Sequence, residues 1–129
     1  MSIERQGCRI LVVDDHVPTA DMMARVFASA GYPARAVYDA EDALEAILTF
    51  DPQVVILDLL LRYSSGEAIA RQLHEQGSRA VLVAISGVRG TEKHLRGDGF
   101  EYFFRKPVDP QVVVDTIDLR RETMRGVNP

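Results

Sequence analysis

Four short apolar runs, at residues 10–13, 54–57, 80–85 and 102–104, constrain the fold of this chain more than any other feature. The runs are rich in β-branched and aromatic residues and lack the strict alternation of a half-exposed strand. Continuous apolar strands of this kind are typical of a parallel sheet that is buried on both faces. Such a sheet needs helices on both sides, so the sequence predicts an α/β domain.

Between these runs, apolar residues recur at spacings of three and four, as on one face of a helix. The first helix is predicted to begin near Pro18 and to end at Gly31. The second follows the capping residue Asp39 and ends before Pro52. The stripe of the first helix is Met22, Met23, Val26 and Phe27, and that of the second is Ala43, Leu44, Ile47 and Leu48. A further helix is predicted through Ala68, Ile69, Gln72 and Leu73. The stripe of the final helix is Val113, Val114, Ile117 and, one turn on, Arg120 or Arg121.

A fifth short strand over residues 34–38 completes an alternation of strands and helices. Because connections between parallel strands are nearly always right-handed, the sequence predicts a three-layer α/β sandwich. Its parallel sheet should have the strand order 2-1-3-4-5, with helices on both faces. The helix between Ser86 and Lys106 is predicted to be short, loosely formed, or both, because glycines leave only residues 91–96 uninterrupted.

The length and composition fit a single domain of ordinary globular type. The chain has 129 residues, and single domains most often have about 100–150. We assign residues 8–125 to the domain, 1–7 to an N-terminal extension and 126–129 to a frayed tail or the start of a linker. The net charge of −4 disfavours nucleic-acid binding. A lone Cys8, together with the absence of a signal peptide or membrane span, predicts a cytoplasmic location.

Each apolar run is followed by a polar residue whose side chain can bind a ligand or take part in catalysis. The first ends at Asp14 and Asp15, the second at Asp58 and the third at Ser86, and Lys106 follows the last. In open parallel sheets, ligands bind beyond the carboxyl ends of the strands. The sequence therefore predicts a single site that contains three carboxylates, a hydroxyl and an ammonium group.

This combination of side chains is suited to phosphoryl transfer. Two carboxylates at 4 Å repel each other by roughly 4 kcal/mol at an effective dielectric constant of 20. A hard divalent cation would compensate them, and Mg²⁺ binds one or two carboxylates, waters and a phosphate oxygen. Lys106 can bind a phosphate as a point charge, and Ser86 can donate a hydrogen bond to an oxyanion. One carboxylate would be the nucleophile.

With these residues in these positions, the chain resembles the receiver domain of two-component response regulators, the CheY-like superfamily with a flavodoxin-like fold. The matching motifs are Ile-Leu-Val-Val-Asp-Asp at 10–15, Val-Ile-Leu-Asp-Leu at 55–59 with Gly66, Ala-Ile-Ser-Gly at 84–87 and Arg-Lys-Pro-Val at 105–108. The resemblance covers residues 8 to about 125. It implies that Gly66 and Pro107 are structural residues and that the bond before Pro107 is cis.

The resemblance also implies a role for each site residue. Asp58 would be the phosphoacceptor and a ligand of Mg²⁺, for which Mn²⁺ could substitute. Asp15 would bind the metal directly, Asp14 mostly through water, and Leu60 through its backbone carbonyl. Lys106 and Ser86 would then bind the phosphoryl oxygens, and Phe103 would rotate inward as the switch residue.

The implied function is phosphoryl transfer from a phosphohistidine of a sensor kinase or histidine phosphotransfer protein to Asp58. The domain would be a signalling module that catalyses only its own phosphorylation and dephosphorylation. Its phosphorylated surface would bind a downstream target or output domain, with no contact to nucleic acid or membrane. A homodimer through the fourth-helix, fifth-strand and fifth-helix face is a further expectation.

Three departures from the usual receiver pattern stand out. Phe103 replaces the more frequent tyrosine, and Arg62 stands where many receivers have proline. The side chain of Arg62 either contacts the kinase or phosphate, or is a solvated loop residue. The interval from Ser86 to Lys106 is about two residues shorter than usual, which indicates either a specialised output surface or a tolerated deletion.

Two other functions remain as alternatives. An interaction module could keep the fold without phosphorylation, although the complete set of site residues argues against this. A haloacid-dehalogenase-like phosphatase also uses an Asp nucleophile, but in an Asp-x-Asp pattern after its first strand; here the sequence is Asp14-Asp15-His16. The chain could be a stand-alone receiver or part of a longer regulator or hybrid kinase.

Overall fold

The computed structural model describes residues 3–87 and 96–124. Five parallel strands form one sheet with the order β2-β1-β3-β4-β5. The strands are β1 (Ile10–Val13), β2 (Ala34–Val37), β3 (Val54–Asp58), β4 (Val81–Ser86) and β5 (Phe100–Arg105). The predicted strand order is thus confirmed.

In the described part of the chain, three helices connect successive strands and a fourth follows β5. They are α1 (Val17–Ser29), α2 (Ala40–Phe50), α3 (Gly66–Glu75) and α4 (Pro110–Arg121), and a short 3₁₀ helix (Arg5–Gly7) precedes β1. The helix predicted over residues 91–96 lies, apart from Arg96, outside the described residues. None of the helices that the structure describes is long and apolar enough to cross a lipid bilayer.

The two faces of the sheet carry separate apolar cores, which makes the domain three layers thick. Alternate residues of a strand point to opposite faces, so neighbouring residues of β1 belong to different cores. The core on the α1 and α4 side includes Ile10, Val12, Ile56, Val83, Phe27, Val113 and Ile117. The core on the α2 and α3 side includes Leu11, Val13, Val55, Leu57, Ile47, Ile69 and Leu73.

The helix boundaries follow from local chemistry. The side chains of Asp39 and Ser65 cap α2 and α3 by accepting hydrogen bonds from backbone N–H groups in the first turn. Gly31 follows α1 with a φ of 99°, a left-handed conformation that favours glycine. The stripe predicted for α2 is wrong at Leu48, which is 75% exposed. Ala43, Ala46 and Ile47 face the sheet instead, because Leu48 lies one-quarter of a turn beyond Ile47.

The last strand differs from the predicted run. β5 begins at Phe100, and its register against β4 shifts between Leu82 and Val83. After the shift, Phe103 pairs with Ala84 and packs on the α2 and α3 side of the sheet. The neighbouring Tyr102 packs on the opposite side, as the strand period requires.

A polar cluster ties the N-terminal extension to the amino edge of the sheet. Arg5 donates from Nε and an Nη group to both carboxylate oxygens of Asp118 in α4, at 3.1 and 2.9 Å. The hydroxyl of the buried Tyr32 also donates to Asp118. Nε of Arg121 lies 3.6 Å from the same carboxylate. We refer to Arg5, Tyr32, Asp118 and Arg121 as the amino-edge cluster.

Candidate functional site

The carboxyl edge of the sheet brings the predicted polar residues together. Asp14 directly follows β1, and its N–H donates to the carbonyl of Val37 at 3.2 Å, which extends the ladder with β2. Asp58 is the last residue of β3, and Ser86 is the last residue of β4. Lys106 follows β5, and its N–H donates to the carbonyl of Ser86 at 2.9 Å. Backbone pairing therefore positions Asp14, Asp58, Ser86 and Lys106 at this edge.

The three carboxylates form one compact cluster with Lys106. One oxygen from each of Asp14, Asp15 and Asp58 lies within 4.8 Å of the others. Lys106 Nζ donates to Asp58 Oδ2 at 3.0 Å and to Asp14 Oδ2 at 3.1 Å. Both of these carboxylate side chains are only 7% exposed, whereas that of Lys106 is 32% exposed. We call these four residues the carboxyl-edge cluster.

Backbone N–H groups hold the second oxygen of the two buried carboxylates. His16 N–H donates to Asp14 Oδ1 at 2.9 Å, and Leu60 N–H donates to Asp58 Oδ1 at 3.0 Å. In both cases the donor lies two residues after the aspartate, the local pattern of an Asx turn. The orientation of Asp14 and Asp58 is therefore set by their own loops and by Lys106.

Asp15 is held by a different part of the chain. Its Oδ2 accepts a hydrogen bond of 2.9 Å from the backbone N–H of Arg62, which lies 47 residues away in sequence. The side chain of Arg62 itself is exposed. The sequence analysis predicted a role only for the side chain of Arg62 and missed its backbone N–H. No sequence pattern reveals a hydrogen bond that a distant backbone amide donates.

The electrostatics of the carboxyl-edge cluster favour an additional positive charge. Burial raises the pKa of Asp58, and repulsion from Asp14 adds to this effect, while hydrogen bonds from Lys106 and Leu60 oppose it. Burial disfavours the charge on Lys106, but its hydrogen bonds to Asp58 and Asp14 prevail and raise its pKa. Three carboxylates face one ammonium group, so the cluster carries an excess of negative charge.

The donor set fits a hard divalent cation. Three carboxylates supply only oxygen ligands, which suit Mg²⁺ or Mn²⁺. A bound cation would also relieve the repulsion that raises the pKa of Asp58. Asp14, Asp15 and Asp58 are thus the side chains that could hold such an ion. Leu60 follows two residues after Asp58, so its backbone borders the same cluster.

An apolar cavity opens beside the buried carboxylate of Asp58. The cavity has a volume of about 400 Å³ and opens between α1 and the start of α4. Met22, Met23 and Val108 contribute to its walls, and Asp58 and Lys106 lie at its edge. The carboxyl-edge cluster is therefore accessible from the α1 side even though Asp58 is largely buried.

The remaining predicted residues lie around this cluster. Ser86 is fully buried, and Phe103 is half-buried three residues before Lys106. The Lys106–Pro107 peptide bond is cis. Gly66 packs closely against the end of β3, since a Cβ atom there would lie 2.8 Å from the carbonyl oxygen of Asp58 and 3.1 Å from Cα of Leu59. A side chain at position 66 would therefore displace the backbone of the site.

Solved structures of other proteins have a similar fold. One solved structure, the signal receiver domain of a putative Luxo repressor protein from Vibrio parahaemolyticus, has a TM-score of 0.80 and 24% identity over 87% of this chain and 88% of that chain. NtrX from Brucella abortus has a TM-score of 0.79 and 30% identity, covering 88% of this chain and 26% of that one. The first similarity concerns the fold alone.

The sequence comparisons agree with the fold. The transcriptional regulatory protein DltR of Streptococcus agalactiae is 28% identical over 114 residues, which are 87% of this chain and 51% of the relative. The chain thus spans about half the length of this curated relative. A family model described as the response regulator receiver domain matches residues 10–118. The chain therefore belongs to the response regulator receiver domain family.

Proposed function

We propose that this receiver accepts a phosphoryl group on the carboxylate of Asp58. The observation that carries the proposal is the double hydrogen bond of Lys106 Nζ to Asp58 and Asp14 inside a cluster of three carboxylates. The donor would be a phosphohistidine of a sensor kinase or phosphotransfer protein. The P–N bond to the imidazole breaks as a P–O bond to Asp58 forms, and the imidazole leaves with the electron pair of the broken bond.

Within the carboxyl-edge cluster, the carboxylates would bind the metal ion and Lys106 would contact the phosphoryl group. A bound Mg²⁺ would supply positive charge to the phosphoryl oxygens and lower the repulsion among the carboxylates. Asp15, Asp14 and the Leu60 carbonyl would hold this ion together with Asp58. Lys106 already contacts the acceptor at 3.0 Å and can transfer one of its hydrogen bonds to a phosphoryl oxygen.

Ser86 and Phe103 would convert the added charge into a change of surface. A phosphoryl group adds about −1.5 to −2 charges. Ser86 lies at the end of β4, one residue beyond the partner of Asp58 in the ladder, and would donate a hydrogen bond to the phosphoryl group. Phe103 lies on the neighbouring strand and would move inward. Such a switch biases two states that already exist in equilibrium.

The partners follow from this reaction. The protein would receive its phosphoryl group from a histidine kinase or phosphotransfer protein and pass the signal to a downstream target or output domain. A homodimer could use the face that includes β5 and α4, where Val112 and Leu119 are exposed. In this role the domain acts as a signalling module rather than as an enzyme that turns over an external substrate.

Labelling with a radioactive acyl phosphate in the presence of Mg²⁺ tests the proposal. Asp58→Asn should abolish acid-stable, base-labile labelling, because the amide is a poor nucleophile. Asp115→Asn, which removes an exposed carboxylate of α4, is the matched control and should label like the unmodified protein. Undiminished labelling of Asp58→Asn would contradict the assignment of the acceptor. A wild-type chain that no donor labels would favour a phosphorylation-independent interaction module.

A further inference from the structure

The loop between β3 and α3, residues 59–65, is held at its base and touches the cluster at its tip. At the base, Leu59 N–H donates to the carbonyl of Ile85 at 3.0 Å. Leu60 and Ser65 form an isolated antiparallel bridge. At the tip, Arg62 N–H donates to the carboxylate of Asp15 at 2.9 Å. The position of the tip is thus coupled to the position of one carboxylate.

The orientation of Asp15 depends strongly on the hydrogen bond from Arg62, whereas Asp14 and Asp58 are each oriented by more than one donor. Asp14 and Asp58 each accept hydrogen bonds from Lys106 as well as from a backbone N–H. Across residues 3–87 and 96–124, the hydrogen bonds of Lys106 Nζ go to those two carboxylates and not to Asp15. Asp15 is also the most exposed of the three, so packing restrains it less.

We propose that the backbone N–H of Arg62 positions Asp15 for the divalent cation of the carboxyl-edge cluster. The amide would hold Oδ2 of Asp15 and leave Oδ1 free to face the metal. The inference rests on the proposed function, in which this cation is Mg²⁺. The active group is the amide and not the guanidinium, because the side chain of Arg62 is exposed. A proline at this position could not donate the bond.

The coupling acts in both directions. Because linkage between two equilibria is reciprocal, a cation bound to Asp15 should strengthen the bond to Arg62 and hold the loop tip more firmly. Tyr63, which is 92% exposed beside this bond, would be carried along with the tip. Groups that orient metal ligands typically change metal affinity by about 10–100-fold, and we expect about tenfold for this partly exposed contact.

Three variants of position 62 isolate the amide. Arg62→Ala removes the side chain and keeps the N–H, and Arg62→Pro removes the N–H. In the third, L-lactic acid replaces the residue, so that an ester oxygen stands in place of the N–H with the side chain of alanine retained. The dissociation constant for Mg²⁺ is measured from amide chemical shifts during titration with MgCl₂. Circular dichroism of the metal-free proteins monitors the fold.

Arg62→Ala should bind Mg²⁺ like the wild-type chain, whereas the proline and ester variants should bind about tenfold more weakly. In the wild-type chain, Mg²⁺ should also slow hydrogen exchange at the amide of Arg62. If the proline variant does not fold, the ester variant decides alone. An ester variant that binds Mg²⁺ as tightly as Arg62→Ala would overturn the inference. A wild-type chain that binds no Mg²⁺ would overturn the proposed function instead, and this inference with it.

Discussion

The two edges of the sheet carry polar clusters of opposite electrostatic character. At the carboxyl edge, three carboxylates share the single ammonium group of Lys106. At the amino edge, the one carboxylate of Asp118 accepts hydrogen bonds from Arg5 and Tyr32 and lies near Arg121. The first cluster has too few positive groups, and the second has an excess.

The pKa values of Asp58 and Asp118 are shifted in opposite directions, in agreement with this difference in charge. Burial and Asp14 raise the pKa of Asp58 in spite of Lys106. For Asp118, burial acts in the same direction, but hydrogen bonds from Tyr32 and Arg5 outweigh it and lower the pKa. The surroundings of Asp58 therefore disfavour its ionised form, whereas the surroundings of Asp118 favour it. The carboxyl-edge cluster thus leaves negative charge uncompensated, whereas the amino-edge cluster compensates its carboxylate with groups of the chain itself.

The largest expected loss of stability comes from the amino edge. Asp118→Ala would leave the buried hydroxyl of Tyr32 and the guanidinium of Arg5 without their acceptor. We expect the free energy of unfolding to fall by about 2–3 kcal/mol, measured by urea denaturation. Labelling of the folded protein should stay at the wild-type level. A loss of labelling without a loss of stability would contradict the division between the two edges.

At the carboxyl edge, a substitution that displaces the backbone should lower the free energy of unfolding slightly less, but it should also slow labelling. In Gly66→Ala, the new Cβ would overlap the carbonyl oxygen of Asp58, which it approaches to 2.8 Å without relaxation. We expect a loss of about 2 kcal/mol and slower labelling, because the backbone that carries the acceptor must move. Ala68→Gly in α3 is the control: it should lower stability by about 1 kcal/mol without slowing labelling. Normal labelling of Gly66→Ala would argue against a close coupling of this glycine to the site.

Replacing Asp58 should have the opposite effect on stability. Ionised Asp58 is unfavourable in the metal-free protein, so Asp58→Asn should increase the free energy of unfolding by about 1 kcal/mol when Mg²⁺ is absent. The gain should disappear when the wild-type chain is saturated with Mg²⁺. Chemical denaturation with and without MgCl₂ measures both quantities. A destabilised Asp58→Asn in metal-free buffer would show that the contact with Lys106 outweighs burial.

The smallest expected effect is the loss of Mg²⁺-dependent stabilisation at low pH. At five times the dissociation constant, Mg²⁺ should stabilise the fold by about 1 kcal/mol at pH 7. Because the pKa of Asp58 is raised above its ordinary value of 3.8, protons displace the cation as the pH falls through that raised value. The Mg²⁺-dependent shift of the melting temperature should therefore decrease as the pH falls from 7 toward that raised value.

The amino edge should behave differently over the same interval. The pKa of Asp118 lies below its ordinary value of 3.8, so its stabilising contribution is present above that value and is lost only at lower pH. The stability difference between the wild-type chain and Asp118→Ala should thus persist at pH 4. A parallel loss of both effects would mean that the two carboxyl groups titrate together.

Most of the fold and the site could be predicted from the sequence, because both depend on patterns that are local in the chain. Apolar runs and helical stripes indicated the alternation of strands and helices, and the common topology of such sheets supplied the strand order. The residues at the strand ends indicated the carboxyl-edge cluster. The chemical roles of the site residues, the boundaries at residues 7 and 125 and the cytoplasmic location stay predictions. The predicted stripes were wrong at Met22 of α1 and Leu48 of α2, which are exposed, because a spacing rule does not specify the exact direction of each side chain.

The sequence by itself determined which residues end the strands, since burial on both faces of a sheet leaves a recognisable apolar run. Only the tertiary structure decided which groups orient those residues. The amide of Arg62 reaches Asp15 across 47 positions, and Arg5 reaches Asp118 across 113. Such contacts join segments that are distant in sequence, and a backbone amide is common to every residue except proline. The physical reason is that hydrogen bonds depend on distance and direction in space, which no local pattern encodes.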